Sequence, residues 1–145
     1  MIVRVNKENL LSAAKIHAKS WQDSHRAFCN EAFIKQHTAA HQRSYLEKEI
    51  QDGKQLYMLI KELPVGIISI KDDLIENLYV LPTEQRKGYG TELLLFAIKK
   101  CKGKPRLWVL DNNKNAQALY RKHGFHMTGK THPLSEQLSE LEMEI

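Results

Sequence analysis

Between Leu78 and Leu94 the chain reads LYVLPTEQRKGYGTELL, and this stretch holds the densest chemistry in the sequence. Aromatic and β-branched residues run to Val80, and Pro82 breaks the run, as at the end of a strand. Further on, Leu94, Ala97, Ile98 and Cys101 recur at i, i+3, i+4 and i+7, the buried stripe of a helix. The loop between them is Gln85-Arg86-Lys87-Gly88-Tyr89-Gly90-Thr91. The first amides of a helix have no partner inside it, and the helix dipole adds positive potential there. Glycine lets that backbone approach an oxyanion with no Cβ in the way. With the charges of Arg86 and Lys87, the junction suits a phosphate or pyrophosphate. The Walker pattern G-x-x-x-x-G-K-S/T is absent, and the Rossmann pattern fails because Leu93 stands where its third glycine belongs. Taken alone, Gly88-x-Gly90 fits a plain loop at a helix start equally well.

Other reactive residue types give weaker patterns. His37 and His41 are four apart, but Gln36, Thr38, Ala39 and Ala40 supply no carboxylate, so the H-E-x-x-H zinc motif fails and a solvated helix face is expected. His17 falls in an apolar helical stripe with Leu10, Ala13, Ala14 and Trp21 and reads as a core histidine. Cys29 and Cys101 are far apart and in no metal-ligand spacing, so no metal is expected and a reducing cytoplasm is. Among the carboxylates, Glu76 is the candidate general base. Strand alternation puts it on the face of Leu78 and Val80 unless a bulge shifts the register, and a merely solvated strand carboxylate is the alternative. Asp73 and Glu84 fall in turns.

The elements that must position these residues follow from periodicity and punctuation. IVRV is a short strand, the stripe from Leu10 a helix, and the polar, proline-free residues 30–51 one or two helices. QLYMLIK, VGIISIK and LIENLYVL are strands, with Glu62, Leu63 and Pro64 as the tight link between the first two. A helix ends at Gly103 and Pro105, RLWVL is a strand, and Ala116, Leu119, Tyr120 and His123 mark a further helix that Gly124 stops. FHMTGK and ELEMEI close the chain as strands. The order β-α-α-β-β-β-α-β-α-β-β gives an α/β fold. It is a mixed sheet with helices on both faces, in which residues 74–110 form a βαβ unit with parallel strands. A length of 145 residues fits a single domain, 1–145. No apolar stretch is long enough for a membrane span, and Arg4, Lys7 and Glu8 rule out a signal peptide at the start. The net charge of +5 comes from scattered cations, which argues against a nucleic-acid partner and is equally served by a basic site for a phosphorylated small molecule.

Gln85-Arg86-Lys87-Gly88-Tyr89-Gly90 matches Q/R-x-x-G-x-G/A, and Asn113, Ala116, Tyr120, Gly124 and Phe125 match N-x-x-A-x-x-x-Y-x-x-x-G-F. Two motifs in this order make the chain resemble the GNAT superfamily of acyl-CoA-dependent N-acetyltransferases, most clearly over residues 65–126. The resemblance implies a mostly antiparallel seven-stranded sheet with one central parallel pair. Acetyl-CoA would lie as cosubstrate between the parallel strands, its pyrophosphate on the amides from Arg86 to Thr91. The pantetheine arm would run along Leu78 and Val80, with Asn113 bonding it unless that residue serves only as a helix N-cap. The resemblance further implies direct attack by a primary amine in a ternary complex, a backbone N–H of Val80 polarising the carbonyl, and Tyr120 protonating the leaving thiolate. Some members carry a glutamate where this chain has Trp108, so that base does not carry over. A non-catalytic acyl-CoA-binding regulatory module is the alternative function. WQDSHRAFCNEAFIKQHTAAHQR is expected to rim the acceptor side, and the protein to be a monomer or homodimer. Polyamine, aminoglycoside, amino acid and protein N-terminus all remain open as acceptors.

Overall fold

A strand buried on both faces shows no polar–apolar alternation in its sequence, because both sets of side chains enter a core. β2 (Gln55–Ile60) is such a strand: Tyr57 and Leu59 enter one core, Leu56 and Met58 the other. β3 (Pro64–Lys71) does the same, with Ile68 and Ile70 on one side and Ile67 on the other. The computed structural model describes residues 1–145 and places these strands second and third in a seven-stranded sheet. The remaining strands are β1 (Ile2–Arg4), β4 (Leu74–Val80), β5 (Arg106–Leu110), β6 (His126–Pro133) and β7 (Ser139–Glu144).

Helices α1 (Leu10–His25), α2 (Glu31–Lys35) and α3 (Ala39–Gln51) come between β1 and β2. Leu10, Ala13 and Ala14 of α1 and Leu46 of α3 pack on Leu56, Met58 and Ile67. The polar stretch splits into two helices because it contains two caps: Asn30 accepts from the Phe33 N–H at 2.8 Å, and Thr38 Oγ1 from the His41 N–H at 3.1 Å. His37 falls between those helices and does not share a helical face with His41. On the opposite face, Leu93, Leu94 and Ala97 of α4 (Tyr89–Lys100) and Tyr120 of α5 (Lys114–Lys122) pack on Tyr57, Ile68, Ile75 and Leu107. Gly124, at φ +96°, ends α5 in the left-handed conformation.

The strand order is β1-β2-β3-β4-β5-β7-β6, antiparallel throughout except for β4 and β5. The parallel pairing is short, Leu74 with Arg106 and Ile75 with Leu107, although β4 continues to Val80 and β5 to Leu110. Asp73 pins the closed end. Its carbonyl accepts from the Arg106 N–H at 2.9 Å, and its carboxylate from the Lys102 and Gly103 N–H groups at 2.9 Å each. Beyond Ile75 the strands part. β4 stays on β3 through a register shift, with Asn77 in the left-handed region at φ 53°, while β5 stays on β7.

Candidate active site

The parting strands open a cleft of about 800 Å³. Leu78, Val80, Gln85, Asn113 and Tyr120 line it, and so does Glu76. Leu81 donates its N–H to Val65 of β3 at 2.9 Å, so by strand alternation the amide of Val80 turns away from β3, towards the gap. The Val80 carbonyl is already occupied, by Ser20 Oγ at 3.3 Å and Gln85 Nε2 at 3.1 Å. Gln85 therefore ties the loop to the strand end.

Arg86 to Thr91 follow directly beyond the cleft. The first helical bond of α4 runs from Glu92 N–H to Gly88 O at 3.0 Å, which leaves the amides of Tyr89, Gly90 and Thr91 unpaired. Arg86 and Gly88 both have positive φ, 65° and 85°, and this turns the loop into the helix. A Cβ on Gly88 would meet nothing within 4 Å, so the space above the helix start is open. Gly90 has ordinary helical backbone, and a Cβ there would only touch Leu119 and Val80 at 3.9 Å. Lys87 pairs with Glu84 at 2.7 Å, whereas Arg86 has no ion-pair partner. The Tyr89 ring packs on the core beneath Lys61, so this residue offers the site its backbone only.

On the other wall, Asn113 is the N-cap of α5, accepting from the Ala116 N–H at 3.1 Å, and its Nδ2 remains free to donate. The Tyr120 ring is buried against Phe125, its hydroxyl reaches the cleft, and it makes no bond to a backbone carbonyl. Burial alone raises its pKa to about 12.

Glu76 differs from the alternation-based expectation. The bulge at Asn77 breaks the alternation, so Leu78 and Val80 pack with the α4 core while Glu76 faces α3. There Lys54 bridges Glu76 at 2.5 Å and Glu49 at 2.6 Å, and Tyr45 donates to Glu49 at 2.8 Å. Burial opposes the charge on Lys54, but its two carboxylate partners outweigh this and hold its pKa above the usual lysine value. The same bonds bring Glu49 below the usual carboxylate value against the effect of burial.

The profile of the acetyltransferase (GNAT) family matches residues 11–125. The chain belongs to this family. Among solved structures, PaiA N-acetyltransferase from Thermoplasma acidophilum, in complex with coenzyme A, superimposes with a TM-score of 0.73 at 19% identity, covering 98% of this chain and 96% of that one. Ribosomal-protein-alanine N-acetyltransferase from Brucella melitensis gives 0.71 at 19%, covering 100% and 98%. The putative acetyltransferase YncA from Salmonella typhimurium, with acetyl-CoA, gives 0.69 at 18%, covering 100% and 92%. At these identities the likeness establishes the fold. No curated protein matches the sequence. No helix of this GNAT member is long and apolar enough to cross a membrane.

The cleft also draws residues from four further stretches of the chain. Asp23, Ser24, His25 and Phe28 come from the end of α1 and the residues beyond it, Tyr45 from α3, Trp108 from β5, and Leu134 and Glu140 from the β6–β7 hairpin. Arg26 turns away to Glu31, at 3.9 Å. The Trp21 ring lies between those of His25 and His37, stacked at 3.9 and 3.5 Å, which ties the end of α1 to the link between α2 and α3. Sequence spacing did not single out Tyr45, Tyr79 or Glu140, because none belongs to a motif. Tyr79 is raised to about 12 by burial first, then by the neighbouring Tyr120 and the charge of Glu140, which puts these groups together at the cleft.

Proposed function

We propose that this protein transfers an acetyl group from acetyl-CoA to a primary amine, by direct attack within a ternary complex. The observation that carries the reading is Tyr120, a buried tyrosine whose hydroxyl opens unpaired into the gap between the two parallel strands. The residues present fit acetyl-CoA: unpaired amides at Tyr89, Gly90 and Thr91, open space at Gly88 and the unpaired Arg86 suit its pyrophosphate. When bound, acetyl-CoA supplies the thioester. The backbone of Leu78 and the free Nδ2 of Asn113 would hold the pantetheine arm. The Val80 N–H would donate to the oxygen on which charge develops during attack. The Tyr120 hydroxyl would give its proton to the departing sulfur. Its pKa near 12 keeps the hydroxyl protonated at neutral pH, so it can donate to the sulfur as charge develops there, and the tyrosine would regain its proton from water once the thiol has formed.

The acceptor must lose a proton, since an alkyl amine with a pKa near 10 is neutral in about one molecule in a thousand at pH 7. Lys54 takes one oxygen of Glu76. The other oxygen would receive that proton through water.

The test joins binding to turnover. Acetyl-CoA at a hundred times its dissociation constant should add about 2.7 kcal/mol of stability, seen as a rise in melting temperature. A panel of amines should then release free thiol from acetyl-CoA. No thermal response at millimolar acetyl-CoA overturns the site. Binding without thiol release from any amine supports the non-catalytic module, which the tryptophan at position 108 otherwise favours.

A further inference from the structure

The chain carries a net charge of +5, yet no lysine or arginine lines the cleft, while Asp23, Glu76 and Glu140 do. Nearby cations are turned to other partners. Arg26 goes to Glu31, Arg106 to Glu142 at 3.8 Å, and Lys54 is shared between Glu49 and Glu76, which leaves that trio with an excess negative charge. His25 lines the cleft, and burial holds it below the usual histidine value, so it is uncharged at neutral pH. At the helix start Lys87 is paired with Glu84, which leaves Arg86 as the loop's unpaired cation.

An acceptor that enters such a cleft meets no group able to neutralise a carboxylate, so an anionic acceptor would lose its hydration without compensation. A second ammonium would gain partners. The rim supplies them from two sides, Asp23 from α1 and Glu140 from β7. Glu140 sits deep enough for its charge to reach Tyr79, and its one ionisable partner is His132 at 3.4 Å. Phe28, Tyr45 and Trp108 add aromatic faces, which attract alkylammonium groups and cover a methylene chain. The unpaired Tyr120 hydroxyl, buried in the same cleft, fixes where the reacting end must lie. We propose that the acceptor is a linear di- or polyamine. One end is acetylated beside Val80 and Tyr120, and a second ammonium is held by Asp23 and Glu140. The reaction balances as amine plus thioester giving amide plus thiol, with the amine proton leaving through water.

This assignment rests on the acetyl-transfer reading, and three matched amines separate the two. Cadaverine has two ammonium ends, n-pentylamine lacks the second, and lysine is cadaverine with an added carboxylate. Cadaverine should exceed both others in kcat/KM by about tenfold or more, the scale of one partly buried charge pair. Asp23→Asn and Glu140→Gln should each lower the ratio of cadaverine to pentylamine kcat/KM by about threefold or more, chiefly through KM. The proposal is overturned if lysine or pentylamine equals cadaverine, or if the ratio holds in both variants, and in either case acetyl transfer stands. If none of the amines releases thiol while acetyl-CoA still raises the melting temperature, the transfer reading itself falls and takes this one with it.

Discussion

Tyr120 and the two glycines at the start of α4 carry the sharpest residue-scale expectations. Tyr120→Phe keeps the ring on Phe125 and removes a hydroxyl that bonds nothing in the chain. The variant should therefore keep its melting temperature and lose about a hundredfold or more in kcat, with KM for acetyl-CoA little changed. A near wild-type kcat would make water or substrate the acid. With its pKa near 12, Tyr120 should produce no alkaline limb in the pH–rate profile below about pH 11. The two glycines are not equivalent. Gly88 has φ +85°, so Gly88→Val should cost the free protein about 1–2 kcal/mol in backbone strain and also abolish acetyl-CoA binding. Gly90 is helical with room for a methyl group, so Gly90→Ala should leave the free protein at least as stable and shrink the thermal shift given by acetyl-CoA. Calorimetry on both variants, with and without ligand, distinguishes strain from ligand contact. Both residues were legible in the sequence as a motif; which of them needed glycine for its backbone was not, because that depends on φ.

At the scale of elements, Asp73 joins the β3–β4 turn to the segment that starts β5. A Cβ on Gly103 would lie 2.5 Å from Asp73 Oδ2. Gly103→Ala should push the carboxylate off the amides of Lys102 and Gly103 and cost about 1.5–3 kcal/mol by denaturant unfolding. In an Asp73→Ala background the same change should be nearly free, a coupling that a double-mutant cycle measures. The sequence placed Asp73 in a turn but gave no sign of this bond, whose partners stand thirty positions away. Periodicity revealed the element order, because each stripe and each run lies within one segment. It did not reveal that β7 inserts between β5 and β6, since strand neighbours depend on packing between segments. Nor did LIENLYV announce its bulge. Asparagine tolerates the left-handed region, so Asn77 fits an ordinary strand as readily as a kinked one, and the face of Glu76 turned on that residue.

For the whole molecule, acid stability should turn on His17. It is buried among α1, α3 and β4, edge-on to Tyr79, with Nδ1 unpartnered. Burial lowers its pKa from 6.5 to about 4, with a contact from Asn77 opposing and the charges of His37 and His25 adding. The unfolded chain therefore binds a proton that the folded chain refuses. The stability this residue contributes is complete above about pH 6.5 and is lost as pH falls to about 4, by about 3 kcal/mol. Urea unfolding at both pH values should show that loss, and His17→Phe should remove most of it; an unchanged slope in the variant would assign the effect to other groups. The parting of β4 and β5 also bears on solubility. Any sheet exposes unpaired backbone groups at its outer strands, and these can recruit other chains into aggregates. Here a further set lies inside the sheet, in a wedge that closes to one strand spacing at Ile75 and Leu107. A polypeptide strand needs about 4.8 Å to a neighbour on each side over several residues, which a wedge does not offer along its narrow half. Through its shape, this internal edge would admit a slender amide-bearing arm and shut out another protein chain.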